Sequence, residues 1–143
     1  TLMLVAGVGG QILGGTLSDR YGRKEFSVLG LALAIPAFLL FIATDGIVSV
    51  VFMLTFGFLL WSTFAVTVAM GQELLPGNIG LASGLTLGLA VGGGGIGVAV
   101  TGSLADLVAL DTALALLAVP IAASLLLFIV LPYPWKSLKK PGA

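Results

Sequence analysis

Five apolar segments follow one another along the chain, at about 1–17, 26–43, 47–70, 79–104 and 112–131. No charged residue interrupts the interior of any of them. A membrane-spanning helix needs about 20 such residues, with a range of ~17–25. The polar positions gather instead in the connections, 18–25, 44–46, 71–78 and 105–111. Connections this short make sequential helices antiparallel neighbours. The pattern predicts an all-α membrane protein with five transmembrane helices in 1–132 and a polar tail at 133–143. Pro36 and Pro120 fall inside two of the segments. Each removes a backbone hydrogen bond and is expected to kink its helix, which membrane helices tolerate.

Charge sets the orientation. The basic residues are Arg20, Arg23, Lys24, Lys136, Lys139 and Lys140. Four helices separate the first three from the last three, and an even count returns the chain to its starting side. All six therefore share one face, which the positive-inside rule makes cytoplasmic. Asp45, Asp106 and Asp111 fall at the other face. Tyr133 and Trp135 sit where an aromatic belt would follow the last helix.

Composition narrows the chemistry. Only 8% of the residues are charged, against about 25% in soluble domains. The chain has no cysteine and no histidine. A disulfide framework and a thiolate metal site are excluded, and the commonest proton shuttle is missing. No acid lies at membrane depth, so the clustered groups of a membrane-embedded enzyme are lacking. The expectation is a protein that is not an enzyme, takes no cofactor or metal, and binds no nucleic acid. Thr1 already lies in an apolar run, with no initiator methionine before it. The chain reads as a fragment whose amino-terminal part is missing.

The most informative connection is Gly15-Thr16-Leu17-Ser18-Asp19-Arg20-Tyr21-Gly22-Arg23-Lys24. Glycine permits a sharp reversal. A cytoplasmic loop accounts for Arg20, Arg23 and Lys24, but not for Gly15, Asp19 and Gly22 at fixed offsets. The second connection on that face carries a single acid, Glu73, with no basic neighbour in sequence. Glu73 is expected to pair across the surface with Arg23, or else with Arg20. Asn78 is placed to cap the fourth helix.

The pattern G-x-L-S-D-R-x-G-R-K resembles the signature loop of the major facilitator superfamily of secondary transporters. The run Q-E-L-L-P-G-N-x-G-x-A-S-G-L, then L-G-L-A-x-G-x-G-G-x-G and G-x-L-A-D, is similar to the fosmidomycin-resistance branch of efflux proteins. Asn78 departs from that likeness, which leads one to expect a basic residue there. The resemblance spans nearly the whole chain and implies helices eight to twelve, most of one six-helix half. It implies a gate built from Gly15, Asp19, Arg20, Gly22, Arg23, Lys24 and Glu73. In such a gate the aspartate accepts from the start of a neighbouring helix, here in the missing amino-terminal half, and an arginine meets a carboxylate. These bonds close the cytoplasmic side in one state only, and so bias an equilibrium between two. The implied partners are that missing half, the lipid bilayer, a small-molecule substrate and protons. The implied function is proton-coupled efflux of a small drug-like or anionic compound from the inner membrane. The titrating carboxylate would lie in the absent half, since intramembrane acids are the usual proton carriers. An uptake permease or a non-transporting membrane subunit are the alternatives.

Two further features concern the helices themselves. Gly80, Gly84, Gly88 and Gly92 recur every four residues, and Gly93 and Gly97 continue on an adjacent stripe. Small residues at this spacing make a smooth face for close helix packing. A dinucleotide-binding loop would need a preceding strand and a later acid, and neither is present. Among the polar residues inside helices, Gln11 is the largest and needs partners or a wet cavity. Gln11, Trp61 and Thr63 are the candidates for a substrate path. Ser62, Thr63, Thr67 and Thr86 are also able to bond their own helix carbonyls.

Overall fold

The computed structural model describes residues 1–108 and 110–134. Trp135, Lys136, Lys139 and Lys140, and the side chain of Asp111, lie outside the described residues. The chain forms α1 (Leu2–Tyr21), α2 (Arg23–Ala43), α3 (Gly46–Leu74), α4 (Ile79–Leu107), α5 (Leu110–Ala115) and α6 (Ala118–Val130). No strand occurs among the described residues. The stretches Arg23–Ala43, Gly46–Leu74, Ile79–Leu107 and Thr112–Val130 are long and apolar enough to cross a membrane. α1 is less apolar, because it carries Gln11 in its interior and Ser18, Asp19 and Arg20 in its last turn.

The connection expected over 18–25 is a single residue. α1 runs to Tyr21 and α2 begins at Arg23, so only Gly22 stands between them. Gly22 adopts φ 112° and ψ 134°, a region that a Cβ would make costly. Its N–H donates to Ser18 O at 2.9 Å, and its carbonyl accepts from Phe26 N–H at 3.0 Å. One residue thus ends one helix and starts the next. The reversal therefore needs no loop, and the charged residues occupy helix ends. α3 likewise extends past the expected boundary, so that Gln72 and Glu73 lie in its last turn.

The last apolar segment is broken, but not at its proline. α5 ends at Ala115 and α6 starts at Ala118. Pro120 has no N–H for the carbonyl four residues back, Leu116, and its ring crowds that group. Leu117 and Val119 instead donate three residues back, to Leu114 and Leu116, at 3.0 Å each. Pro36, in contrast, sits within an uninterrupted α2. Asn78 does precede α4, but its side chain makes no cap bond.

Packing follows small residues. The buried residues of α1 are Gly7, Gly10, Gly14 and Ser18, a stripe at helical spacing. The stripe lies against α3. A methyl group on Gly7 would come 2.5 Å from Trp61 Cδ1, and one on Gly14 would come 2.5 Å from Ser62 Cβ. On Gly10 it would strike the carbonyl oxygen of Phe58. Meanwhile Leu4, Val5, Val8 and Ile12 point outward. Bulky apolar groups outside and glycine inside is the arrangement of helices solvated by lipid. The main apolar cluster is Ala34, Ala37, Phe38 and Phe56, with Met3, Leu117 and Ile121 packed on it. The rings of Phe38 and Phe56 lie 4.8 Å apart.

The glycine face of α4 is the expectation that the fold does not meet. A Cβ on Gly80, Gly84, Gly88, Gly92, Gly93 or Gly97 would meet nothing within 4 Å. α4 buries only Ala82 among the described residues. It touches α3 near its start, where Gln72 Nε2 donates to Ser83 Oγ at 2.8 Å. The close helix contacts that glycine permits are instead made by α1.

Candidate functional site

Asp19, Arg20, Arg23, Lys24 and Glu73 gather at one end of the bundle, where α1 and α3 end, α2 begins and the chain leaves α6. Arg23 stands at its centre, in the first turn of α2. Its Nη2 donates to Asp19 Oδ1 at 3.0 Å across the Gly22 reversal. The same nitrogen forms an ion pair with Glu73 Oε1 on α3 at 3.2 Å. The partner expected for Glu73 is therefore in place, and it is Arg23. Arg20 lies on the exposed side, its guanidinium 5.8 Å from the centre of the Tyr21 ring.

Glu73 has a second partner, which sequence reasoning missed. Tyr133 Oη donates to Glu73 Oε2. Burial, then the carboxylate of Glu73, push the Tyr133 hydroxyl up from 10.0 to about 12. Tyr133 looked like a membrane-belt aromatic. The signal that could have singled it out is its setting, Pro132-Tyr133-Pro134, because proline restricts both itself and the residue before it.

Lys24 also differs from its sequence reading. It is only 2% exposed, although positive-inside counting treats it as a solvated loop charge. Its Nζ donates to Ile129 O at 3.0 Å and to Leu131 O at 2.6 Å. The last carbonyls of a helix lack intrahelical donors, and the macrodipole makes that end negative. Lys24 thus satisfies the end of α6 and finds there the environment that a buried ammonium needs.

The magnitudes separate stability from switching. The Asp19 and Glu73 side chains are 63% and 47% exposed in their pairs with Arg23. Exposed ion pairs contribute about 0.2–1 kcal/mol, too little to hold a bundle together. A weak bond present in one conformation is suited to biasing a conformational equilibrium.

The remaining candidates are scattered. Gly15 faces open space. Gln11 is on the exposed side of α1. Trp61 packs on Gly7 and meets Phe64 edge-on, with ring centres 5.7 Å apart. Thr63 is buried beneath Gly30 and donates to Leu59 O at 3.0 Å. Trp61 and Thr63 therefore sit in helix–helix seams. Ser62, Thr67 and Thr86 each donate to a carbonyl of their own helix. An apolar groove of about 350 Å³ runs along Leu17, Tyr21, Glu25, Phe26 and Leu29. Among the described residues no group of three or more acids, histidines or cysteines is placed to hold a metal.

Comparison with known proteins agrees with the fold and the motifs. The chain is 42% identical over 106 residues to YfnC, an uncharacterised MFS-type transporter of Bacillus subtilis; the match takes in 73% of the chain and 26% of that protein. It is 39% identical over 108 residues to the fosmidomycin resistance protein of Escherichia coli, covering 72% of the chain and 25% of that protein. The chain thus spans about a quarter of the length of these relatives. No protein-family model and no solved structure matches it. With a signature motif at the reversal, an all-helical bundle of membrane-crossing length and two such relatives, the chain belongs to the major facilitator superfamily and is a stretch of a multi-pass membrane protein.

Proposed function

We propose that the chain supplies helices eight to twelve, most of the carboxy-terminal half, of an inner-membrane exporter. The exporter moves a small anionic or drug-like compound outward against an inward flow of protons, by alternating access. The missing amino-terminal half supplies the other wall of the substrate path and the proton-carrying acid. Major facilitator halves rock about a site near the membrane midplane. The observation that carries this reading is the Asp19–Arg23–Glu73 cluster, a set of exposed charge-assisted bonds gathered at one end of the bundle. Such bonds gate that end, on the cytoplasmic face, by forming in one state and breaking in the other. Gly15, Arg20, Gly22 and Lys24 shape the same end, and Gln11 faces the substrate path.

The uncovered glycine face of α4 fits this reading. Gly80, Gly84, Gly88, Gly92, Gly93 and Gly97 are free to receive a helix from the missing half. The fosmidomycin resistance protein supports export and offers the first compound to try. The test is drug susceptibility. Expression of the full-length protein in a sensitive strain raises the inhibitory concentration of fosmidomycin, and a proton uncoupler abolishes the gain. No change across a panel of anionic drugs would argue for uptake or a non-transporting role.

A further inference from the structure

The bonds at the base of the bundle close into a ring. Arg23 reaches Glu73 Oε1, and Glu73 Oε2 accepts from Tyr133 Oη. The Tyr133 N–H donates to Leu131 O at 2.8 Å. That same carbonyl accepts from Lys24 Nζ at 2.6 Å, and Lys24 adjoins Arg23 in the chain. The ring passes through the start of α2, the end of α3 and the segment that follows α6. We propose that Tyr133 and Lys24 are positioning residues for the Arg23–Glu73 pair, so that residues 131–133 form a strap that must be seated for the gate to close.

Each residue has a distinct part. Lys24 fixes the carbonyl on which the turn at Tyr133 is built. Pro132 and Pro134 restrict the backbone on both sides of Tyr133, so little conformational freedom remains to be lost when its ring is placed. Tyr133 then occupies one carboxylate oxygen of Glu73 and leaves the other turned toward Arg23. Bonds that share partners strengthen one another, so loss of one link loosens its neighbours.

This inference rests on the gating reading, and the two fail differently. The full-length transporter is reconstituted in liposomes with an imposed pH gradient and fosmidomycin as probe. Tyr133→Phe is expected to lower turnover by about tenfold, the scale of one hydrogen bond to a charged group, at unchanged KM. Lys24→Met lowers turnover likewise, with a lower melting temperature because the α6 carbonyls lose their donor, and Lys24→Arg restores turnover. Hydrogen exchange reads the ring without transport. Glu73→Gln and Tyr133→Phe each speed exchange at the Leu131 and Tyr133 amides severalfold, and the double variant is no faster than either. Independent, multiplying effects on exchange would overturn the strap. So would Arg23→Gln that slows transport while Tyr133→Phe and Lys24→Met transport normally. Normal transport by Arg23→Gln itself would remove the gate and the strap with it.

Discussion

Lys24 Nζ and the carbonyl oxygen of Leu131 lie 2.6 Å apart although 107 positions separate them in the chain. The contact brings the α1–α2 reversal and the exit from α6 to the same end of the bundle. An even number of helix traversals between them is its geometric requirement. A buried ammonium at a helix carboxy end also explains why a basic residue is accepted in the first turn of α2. There the helix dipole alone would disfavour it.

Gly14 and Gly15 are neighbours with opposite surroundings. A methyl on Gly14 would collide with Ser62, whereas one on Gly15 would meet nothing. Gly14→Ala should destabilise the full-length protein by about 1–3 kcal/mol, the usual cost of overpacking. Gly15→Ala should be neutral or stabilising by up to ~1 kcal/mol, from helix propensity. Thermal unfolding in detergent checks both.

Much of this was open to reading from the chain, and some was not. The all-helical fold, the order of its helices and the Arg23–Glu73 pairing follow from apolar run lengths and from a lone acid among basic residues. Within this chain the glycine seam is made by α1, while the glycine face of α4 is left uncovered. The run from Gly80 to Gly97 is longer than Gly7, Gly10 and Gly14, but spacing shows only that a smooth face exists. It does not show which neighbour covers it. Lys24 and Tyr133 were misjudged for a related reason. Counting charges and aromatics places them relative to the membrane, while their partners depend on where a helix a hundred residues later comes to rest.

Gly22→Ala should cost about 1–3 kcal/mol, because φ 112° is strained for any residue with a Cβ. The substitution would also disturb both helix ends that Gly22 joins. A lower melting temperature, with retained helical circular dichroism, is the expected result.

Ser27 Oγ is buried without a hydrogen-bond partner among the described residues. An unmet buried hydroxyl costs about 1–3 kcal/mol. Ser27→Ala should therefore raise the melting temperature, and a fall would mean that the hydroxyl is satisfied in the full-length protein.

The Tyr133 hydroxyl, raised to about 12, gives a pH dependence of known sign. Its neutral form is favoured in the folded state, so the contribution of the Tyr133–Glu73 bond is complete below pH 10 and lost as pH rises through 12. In the full-length protein a Tyr133→Phe blank separates Tyr133 from every other tyrosine. An ultraviolet difference titration, with the same protein carrying Tyr133→Phe as the blank, should then show the tyrosinate forming near pH 12. Glu73→Gln should move that transition downward.

Asp19→Asn in the full-length protein should slow transport and leave membrane insertion intact, because it removes a charge from Arg23 at an exposed site. Normal rates would refute a gating role for Asp19.

Side-specific labelling bears most directly on the whole account. The chain has no cysteine, so, once any cysteines elsewhere in the full-length protein are replaced, single cysteines at Gly77, Pro134 and Asp45 give clean reporters in vesicles of known orientation. The expected result is that an impermeant thiol reagent reaches positions 77 and 134 only from the cytoplasmic side, and position 45 only from the other. Labelling of positions 77 and 134 from opposite sides would contradict it.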